Sequence, residues 1–163
     1  MNIKIKKNGF LTYKNFKYKC SLGCKGLKIK KKEGDEITPK GKYTLGKLYY
    51  RKDRIKNIFT KLEKKIITKN SGWCHDVSSV YYNKEIKITS NLKHEKLHRK
   101  DHKYDILIVI NYNTNPIIAG KGSAIFLHLT KNYSKTKGCV AITKRDLVEL
   151  IKYINKKTKI FIG

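Results

Sequence analysis

A histidine and a cysteine eleven positions apart carry the most specific chemistry in this chain. His128 stands near the end of the apolar run SAIFLHL, Ser123 to Leu129, and Gly138-Cys139 opens the next run, GCVAI. A polar loop, residues 130–137, joins them and is short enough to bring the two strand ends together. A free thiol titrates near 8.5 and is mostly protonated at neutral pH. An imidazole within reach takes that proton, which makes the sulfur an acyl-accepting nucleophile. The same ring can return the proton to a leaving amine. Gly138 lets the backbone approach closely. The amides of Gly138 and Cys139 are candidate oxyanion donors, worth roughly 3 kcal/mol each in comparable sites. A second reading stands beside this one: buried cysteines are commonly inert, and a histidine on an apolar strand is often a core residue with a hydrogen-bond partner. The two residues alone leave both readings open.

The elements that must position this pair are mostly strands. Residues 2–6 alternate charged and apolar, and residues 10–18 read as a hairpin turning at Asn15. Residues 26–32 alternate again, and Thr38-Pro39-Lys40-Gly41 is a turn before a run ending at Tyr50. Residues 104–112 (YDILIVINY) are short and rich in Ile and Val, and predict a central strand. The SAIFLHL and GCVAI runs predict two more. One helix is expected after Thr143, a candidate N-cap with Asp146 three positions on. Leu147, Leu150, Ile151 and Ile154 would form its apolar face, with Lys156 and Lys157 at its C-terminus. A closing strand follows at residues 159–162. Residues 51–103 are polar and irregular and read as a lid or insertion. The fold class expected is mainly β with one helix near the C-terminus, built as a single domain over residues 1–163.

Composition narrows the function classes. Apolar residues make up 39% and charged residues 31%, which suits a folded domain rather than a disordered chain. The net charge of +27 attracts polyanions, but the lysines are scattered over the whole chain and accompany abundant Asn, Ile and Tyr. Compositional bias therefore accounts for them at least as well as a specific nucleic-acid surface, and such a surface would also suit an anionic cell wall. No stretch approaches the roughly 18 apolar residues of a membrane span, and the first residues show no secretory signal. Four cysteines (Cys20, Cys24, Cys74, Cys139) are too few for a disulfide scaffold. Cys20 and Cys24 lack a second ligand pair at zinc spacing. His94, His98 and His102 recur every four residues, but their segment is polar on all faces. No metal site is expected from these residues.

Several segments together resemble one family. They are Gly72-Trp73-Cys74-His75-Asp76, Tyr82-Asn83, Asp101-His102-Lys103-Tyr104-Asp105, Gly120 to His128 and Thr136-Lys137-Gly138-Cys139-Val140-Ala141. With Cys20 to Gly23 and the Gly34-Asp35…Thr38-Pro39-Lys40-Gly41 run, this pattern is similar to a compact bacterial branch of the L,D-transpeptidase (YkuD) family over most of the chain. The resemblance implies a sandwich of mixed sheets and no organic cofactor. It also implies that Cys139 is the nucleophile, His128 its base and the Gly138 amide an oxyanion donor, with a backbone carbonyl orienting the imidazole. Cys139 would attack an L-centre carbonyl of a peptidoglycan stem peptide and expel the next D-residue. An amine from a second stem would then complete a cross-link, and water in its place would make the enzyme a carboxypeptidase or amidase. A non-catalytic basic nucleic-acid binder is the remaining alternative. The His-to-Cys spacing is shorter than is usual in the family, and Val140-Ala141 stands where many members carry a small polar residue or Arg. Trp73, Asp76, His102, Tyr133, Ser123 and Thr136 are candidate substrate-binding residues, Trp73 being read equally as a core anchor. Tyr82-Asn83 are further cleft candidates. The partners implied are donor and acceptor stems, with no specific nucleic acid, a monomeric state and an envelope or periplasmic location (cytoplasmic as the alternative).

Overall fold

The computed structural model describes residues 1–89 and 91–163. Its strands are β1 (Ile3–Lys6), β2 (Phe10–Tyr13), β3 (Phe16–Lys19), β4 (Leu27–Lys28), β5 (Thr38–Pro39), β6 (Gly41–Tyr50), β7 (Lys64–Ile66), β8 (Ser71–Cys74), β9 (Glu85–Lys87), β10 (His94–Lys96), β11 (Ile106–Ile110), β12 (Phe126–Leu129) and β13 (Val140–Ile142). The helix α1 (Lys144–Leu150) and the strand β14 (Lys159–Ile162) complete the order. The large sheet runs β13-β12-β11-β6-β14-β1-β2-β3, with β7 added beside β6. It mixes parallel pairs (β1·β14, β12·β13, β6·β7) with antiparallel ones. Its two ends meet: just beyond β3, Ser21 and Ala141 of β13 exchange backbone hydrogen bonds of 2.8 and 3.0 Å. The sheet therefore curls onto itself, which leaves little open edge at the strand that follows Cys139.

Strand alternation divides the interior into two cores. Ile106, Ile108 and Ile110 of β11, Leu127 and Leu129 of β12, and Val140 and Ile142 of β13 join the larger core, together with Leu147 and Leu150 of α1. Leu107, Val109 and Phe126 point the other way, into a smaller core closed by Trp73 and Tyr104. The central strands are buried on both faces, so they read as unbroken apolar runs.

The segment 51–103, read as irregular, contains four short strands. Three of them form a separate sheet, β10-β8-β9, whose central strand β8 is wholly buried. It supplies Trp73 to the smaller core. Residues 26–32 pair only at Leu27–Lys28. Beyond that point the Asp35 carboxylate takes over, accepting backbone N–H bonds from Lys31, Lys32 and Ile37 and an ion pair from the buried Lys30. A side chain that captures several amides replaces the strand ladder with a loop. Burial alone would raise the Asp35 pKa, but the Lys30 contact and these amides outweigh it and hold the carboxyl at about 2.

The helix begins as expected. Thr143 has extended backbone, and its hydroxyl accepts the Asp146 N–H at 3.2 Å. It ends earlier than the apolar spacing predicts. After Leu150 the chain tightens into i→i+3 turns, with Lys152 N–H on Glu149 and Tyr153 N–H on Leu150. Ile151 and Ile154 remain buried, while Lys156 and Lys157 fall on an exposed turn outside the last helical turn. Replacing Thr143 with Ala should lower stability by about 1 kcal/mol through loss of the cap. The check is a lower urea midpoint with an unchanged m-value. No helix among the described residues is long and apolar enough to cross a membrane.

Candidate active site

His128 and Cys139 sit on neighbouring parallel strand segments. The register pairs Leu127 with Val140 and His128 with Ala141, so Phe126 stands opposite Cys139. Period two then puts Phe126, His128 and Cys139 on one face, toward the smaller core. His128 and Cys139 are diagonal neighbours, roughly 8 Å apart at Cα from the strand spacing and rise. The sequence expectation that two strand ends bring ring and thiol to one side corresponds to this arrangement.

The resting contacts of the two groups are with backbone. The Cys139 thiol donates to the Ala124 carbonyl at 3.2 Å, and the Phe126 N–H donates to its sulfur at 3.3 Å. His128 Nδ1 lies 2.9 Å from the Leu129 carbonyl. A carbonyl only accepts, so Nδ1 carries the proton and Nε2 of the neutral ring has the free lone pair. Among the described residues no hydrogen bond joins the ring to the thiol.

Burial sets the charge states. His128 is 6% exposed and Cys139 8%. Burial drives the His128 pKa down to about 4, against the Leu129 bond that favours the proton. Burial likewise pushes the Cys139 thiol up to about 12, helped by the Glu95 carboxylate. The Phe126 N–H and the Lys30 ammonium act in the opposite direction and are outweighed. The resting pair is thus neutral thiol and neutral imidazole, with no preformed thiolate. Native-state labelling by iodoacetamide near pH 7.5 should therefore modify the exposed Cys24 first, with Cys139 at least about tenfold slower. Peptide mapping of the time course reads that order.

An aromatic layer covers the pair. The Tyr104 ring meets His128 edge-on at 5.1 Å and Phe126 at 5.8 Å. Its hydroxyl donates to Glu95 at 2.5 Å. Burial first, then the Glu95 carboxylate that it contacts, holds that phenol far above its usual range. Trp73 packs edge-on against Phe126 at 5.2 Å and donates its indole N–H to Asn83 at 3.0 Å. Buried and fully used, Trp73 is the core anchor of the two readings and presents no ring to a stem peptide.

The Gly138 expectation needs correction. Gly138 has φ +136, and an added Cβ would lie 3.0 Å from the Ile37 carbonyl, so only glycine fits this turn. Its N–H, however, donates to Thr136 Oγ1 at 3.1 Å, and that hydroxyl in turn donates to the Cys139 carbonyl at 2.6 Å. The Gly138 amide is therefore already engaged within the turn, and Thr136 is a brace for the Cys139 backbone rather than a free substrate contact.

The other candidates are dispersed. Ser123 is buried between Gly122 and Ala124, and its hydroxyl has no well-formed partner. His102, largely exposed, binds Asp105 at 2.7 Å, and the same carboxylate pairs with Arg54 at 2.8 Å. Asp76 accepts from Ser78 and from the Lys93 N–H, so it closes a local turn. His94 lies in β10 and not on a helix, so the four-residue spacing stacks no histidines. No cluster of three or more metal-ligating side chains occurs among the described residues. Tyr133 lines a surface groove of about 940 Å³ with Lys17, Lys19, Lys144, Arg145 and Lys152; this groove holds neither Cys139 nor His128.

Sequence reasoning gave Asn83 little weight. Its side chain is the centre of a buried network. Oδ1 accepts from Trp73 and from the Ala124 N–H at 3.1 Å, and Nδ2 donates to the carbonyls of Tyr112 (3.0 Å) and Asn113 (2.7 Å). Tyr82 beside it donates to Glu33 at 2.5 Å and accepts the Gly122 N–H at 2.9 Å. The adjacent Tyr-Asn pair was the available signal; apart from Trp73, its partners are 29–49 positions away and could not be read from spacing.

Comparisons with known proteins agree with this architecture. A family model described as YkuD, L,D-transpeptidase catalytic domain, matches residues 3–162. Comparison with curated proteins finds no match. Among solved structures, Bd1075 of Bdellovibrio bacteriovorus is similar at TM-score 0.52 and 16% identity, covering 99% of this chain and 47% of that one. The helical cell shape determining protein Pgp2 from Campylobacter jejuni is similar at TM-score 0.50 and 17% identity, covering 99% of this chain and 46% of that one. The chain thus spans just under half the length of these two proteins, and at such identities the likeness speaks to the fold.

Proposed function

Because the chain belongs to the YkuD family of L,D-transpeptidase catalytic domains, we propose that it is a cysteine acyltransferase that cross-links peptidoglycan stem peptides, with Cys139 as nucleophile and His128 as base. One observation carries the reading: His128 offers the lone pair of Nε2 from the same sheet face that holds the sulfur, its tautomer set by the Leu129 carbonyl. A catalytic base needs that orientation before it needs a matched pKa.

The steps follow from the neutral pair. The thiol leaves the Ala124 carbonyl and gives its proton to Nε2 as sulfur attacks the L-centre carbonyl of the donor stem. The Cys139 amide is the backbone donor left for the oxyanion, since the Gly138 amide is engaged. The C–N bond breaks, and the imidazolium returns the proton to the departing D-residue's amine. An amine of the acceptor stem then attacks the thioester and loses a proton to His128, the C–S bond breaks, and the imidazolium passes that proton to the departing sulfur. Water as acceptor gives carboxypeptidase action instead. The same reading carries a monomeric enzyme and an envelope location.

The test is incubation with disaccharide-tetrapeptide, with and without a second stem as acceptor, followed by mass spectrometry. Dimers and an acyl adduct on Cys139 support cross-linking. Shortened monomers alone would make the protein a carboxypeptidase, and no change in either product would sink the reading. The basic groove supports a second reading, binding of an anionic polymer. Its two acids are engaged, Glu149 by the Tyr18 hydroxyl at 3.1 Å and Asp146 by Arg145 at 3.5 Å. Nucleic-acid binding with a steep salt slope, unchanged by Cys139→Ala, would favour that reading.

A further inference from the structure

Ala124 adopts a left-handed backbone with φ +52, a conformation that costs a non-glycine residue about 1 kcal/mol and persists where its surroundings impose it. Both of its backbone polar groups are committed. The N–H goes to Asn83 Oδ1 at 3.1 Å, and the carbonyl accepts the Cys139 thiol at 3.2 Å. Asn83 cannot move to relieve Ala124. It is 4% exposed, itself has φ +55, and is pinned by the Trp73 indole and by the Tyr112 and Asn113 carbonyls. All the hydrogen-bonding capacity named for its amide is used, which makes it a rigid reference point.

We propose that Asn83 is a positioning residue for Cys139: it clamps Ala124 in the left-handed conformation, so that the Ala124 carbonyl fixes the direction of the thiol. The sulfur is then held from two sides, by that carbonyl and by the Phe126 N–H. Asn83 touches neither the sulfur nor the imidazole; its effect passes through the backbone of residue 124. The inference rests on the nucleophile assigned above, yet its main readout needs no peptide substrate.

The experiment measures iodoacetamide labelling of each cysteine in the folded protein by peptide mass spectrometry. Asn83→Ala should raise the Cys139 rate at least about threefold while the equally buried Cys20 keeps its rate, because only the thiol's own tether is loosened. On disaccharide-tetrapeptide the same variant should lose about tenfold in kcat with KM within about twofold, the signature of misplacement rather than weaker binding. The conservative rescue is Ala124→Gly. Glycine takes the left-handed conformation freely, so the clamp matters less, and Asn83→Ala should change Cys139 labelling by less than about twofold in that background. If Asn83→Ala does not fold, Ala124→Val tests the link from the other side: a β-branched residue resists φ +52 and should give the same selective rise. Parallel increases at Cys139 and Cys20, or an undiminished effect of Asn83→Ala beside Ala124→Gly, would overturn the proposal. Selective labelling without any peptide turnover would instead leave the positioning intact and reject the transpeptidase reading.

Discussion

Cys139→Ser should fold normally and lose at least about 10³-fold in turnover of disaccharide-tetrapeptide, together with the acyl adduct at position 139. The size of the loss follows from the surroundings. His128 is a weak base here, with its pKa driven down to about 4 by burial. It can draw a proton from a thiol as attack proceeds, because sulfur is nucleophilic and polarisable. An alcohol is a far weaker acid, and nothing beside it compensates: Glu95 opposes any anion at this position, and burial opposes it more strongly. The hydroxyl should keep the Ala124 carbonyl as acceptor, so stability should stay within about 1 kcal/mol of the parent protein. Urea unfolding and product mass spectrometry make the check. A Ser variant retaining more than a tenth of the activity would remove the sulfur from the mechanism.

Alternation is why so much of this site was legible in the chain. YDILIVINY and SAIFLHL are buried on both faces, and period two sends His128 and Cys139 toward one side once the parallel register sets Phe126 opposite Cys139. The helix start was legible for a similarly local reason, a hydroxyl and the amide three positions on. What spacing could not carry was every contact that depends on a side chain meeting distant backbone. Asp35 turns an alternating stretch into a loop by collecting amides, and Asn83 reaches Tyr112, Asn113 and Ala124 from a segment that looked irregular. The Gly138 amide failed as an expected oxyanion donor because a hydroxyl two positions back captured it. Trp73 reads alike as a core anchor or a surface ring until Phe126 and Asn83 are found around it.

These contacts also explain why the resting pair is neutral. The sulfur has a carbonyl acceptor for its proton and one N–H donor, an arrangement that suits a thiol better than an anion. Tyr104, Trp73 and Phe126 keep water off the imidazole and the sulfur. A low-polarity pocket delays ionisation until a carbonyl carbon is present to accept the electron pair, and it strengthens each oxyanion contact once charge develops. The functional reading thus predicts an enzyme whose nucleophile is quiet toward small alkylating agents and reactive toward a bound peptide.

His128→Gln should have opposite effects on activity and on acid tolerance. Glutamine can still donate to the Leu129 carbonyl but has no lone pair of comparable basicity, so turnover should fall by about 10³-fold. Stability responds through linkage. The folded protein keeps His128 neutral down to about pH 4, whereas the unfolded chain binds a proton near 6.5. Between those values the unfolded state holds more protons, so stability conferred by the neutral ring is complete above about pH 6.5 and drains away as pH falls toward 4. The linkage amounts to about 3 kcal/mol at 1.36 kcal/mol per pH unit. Glutamine cannot titrate, so the stability gap between parent and variant should close by about that amount from pH 7 to pH 4. Urea unfolding at pH 7, 5.5 and 4 reads the gap directly. A gap that stays constant over this range would mean the imidazole is solvated in the folded protein, and the buried neutral base would have to be abandoned.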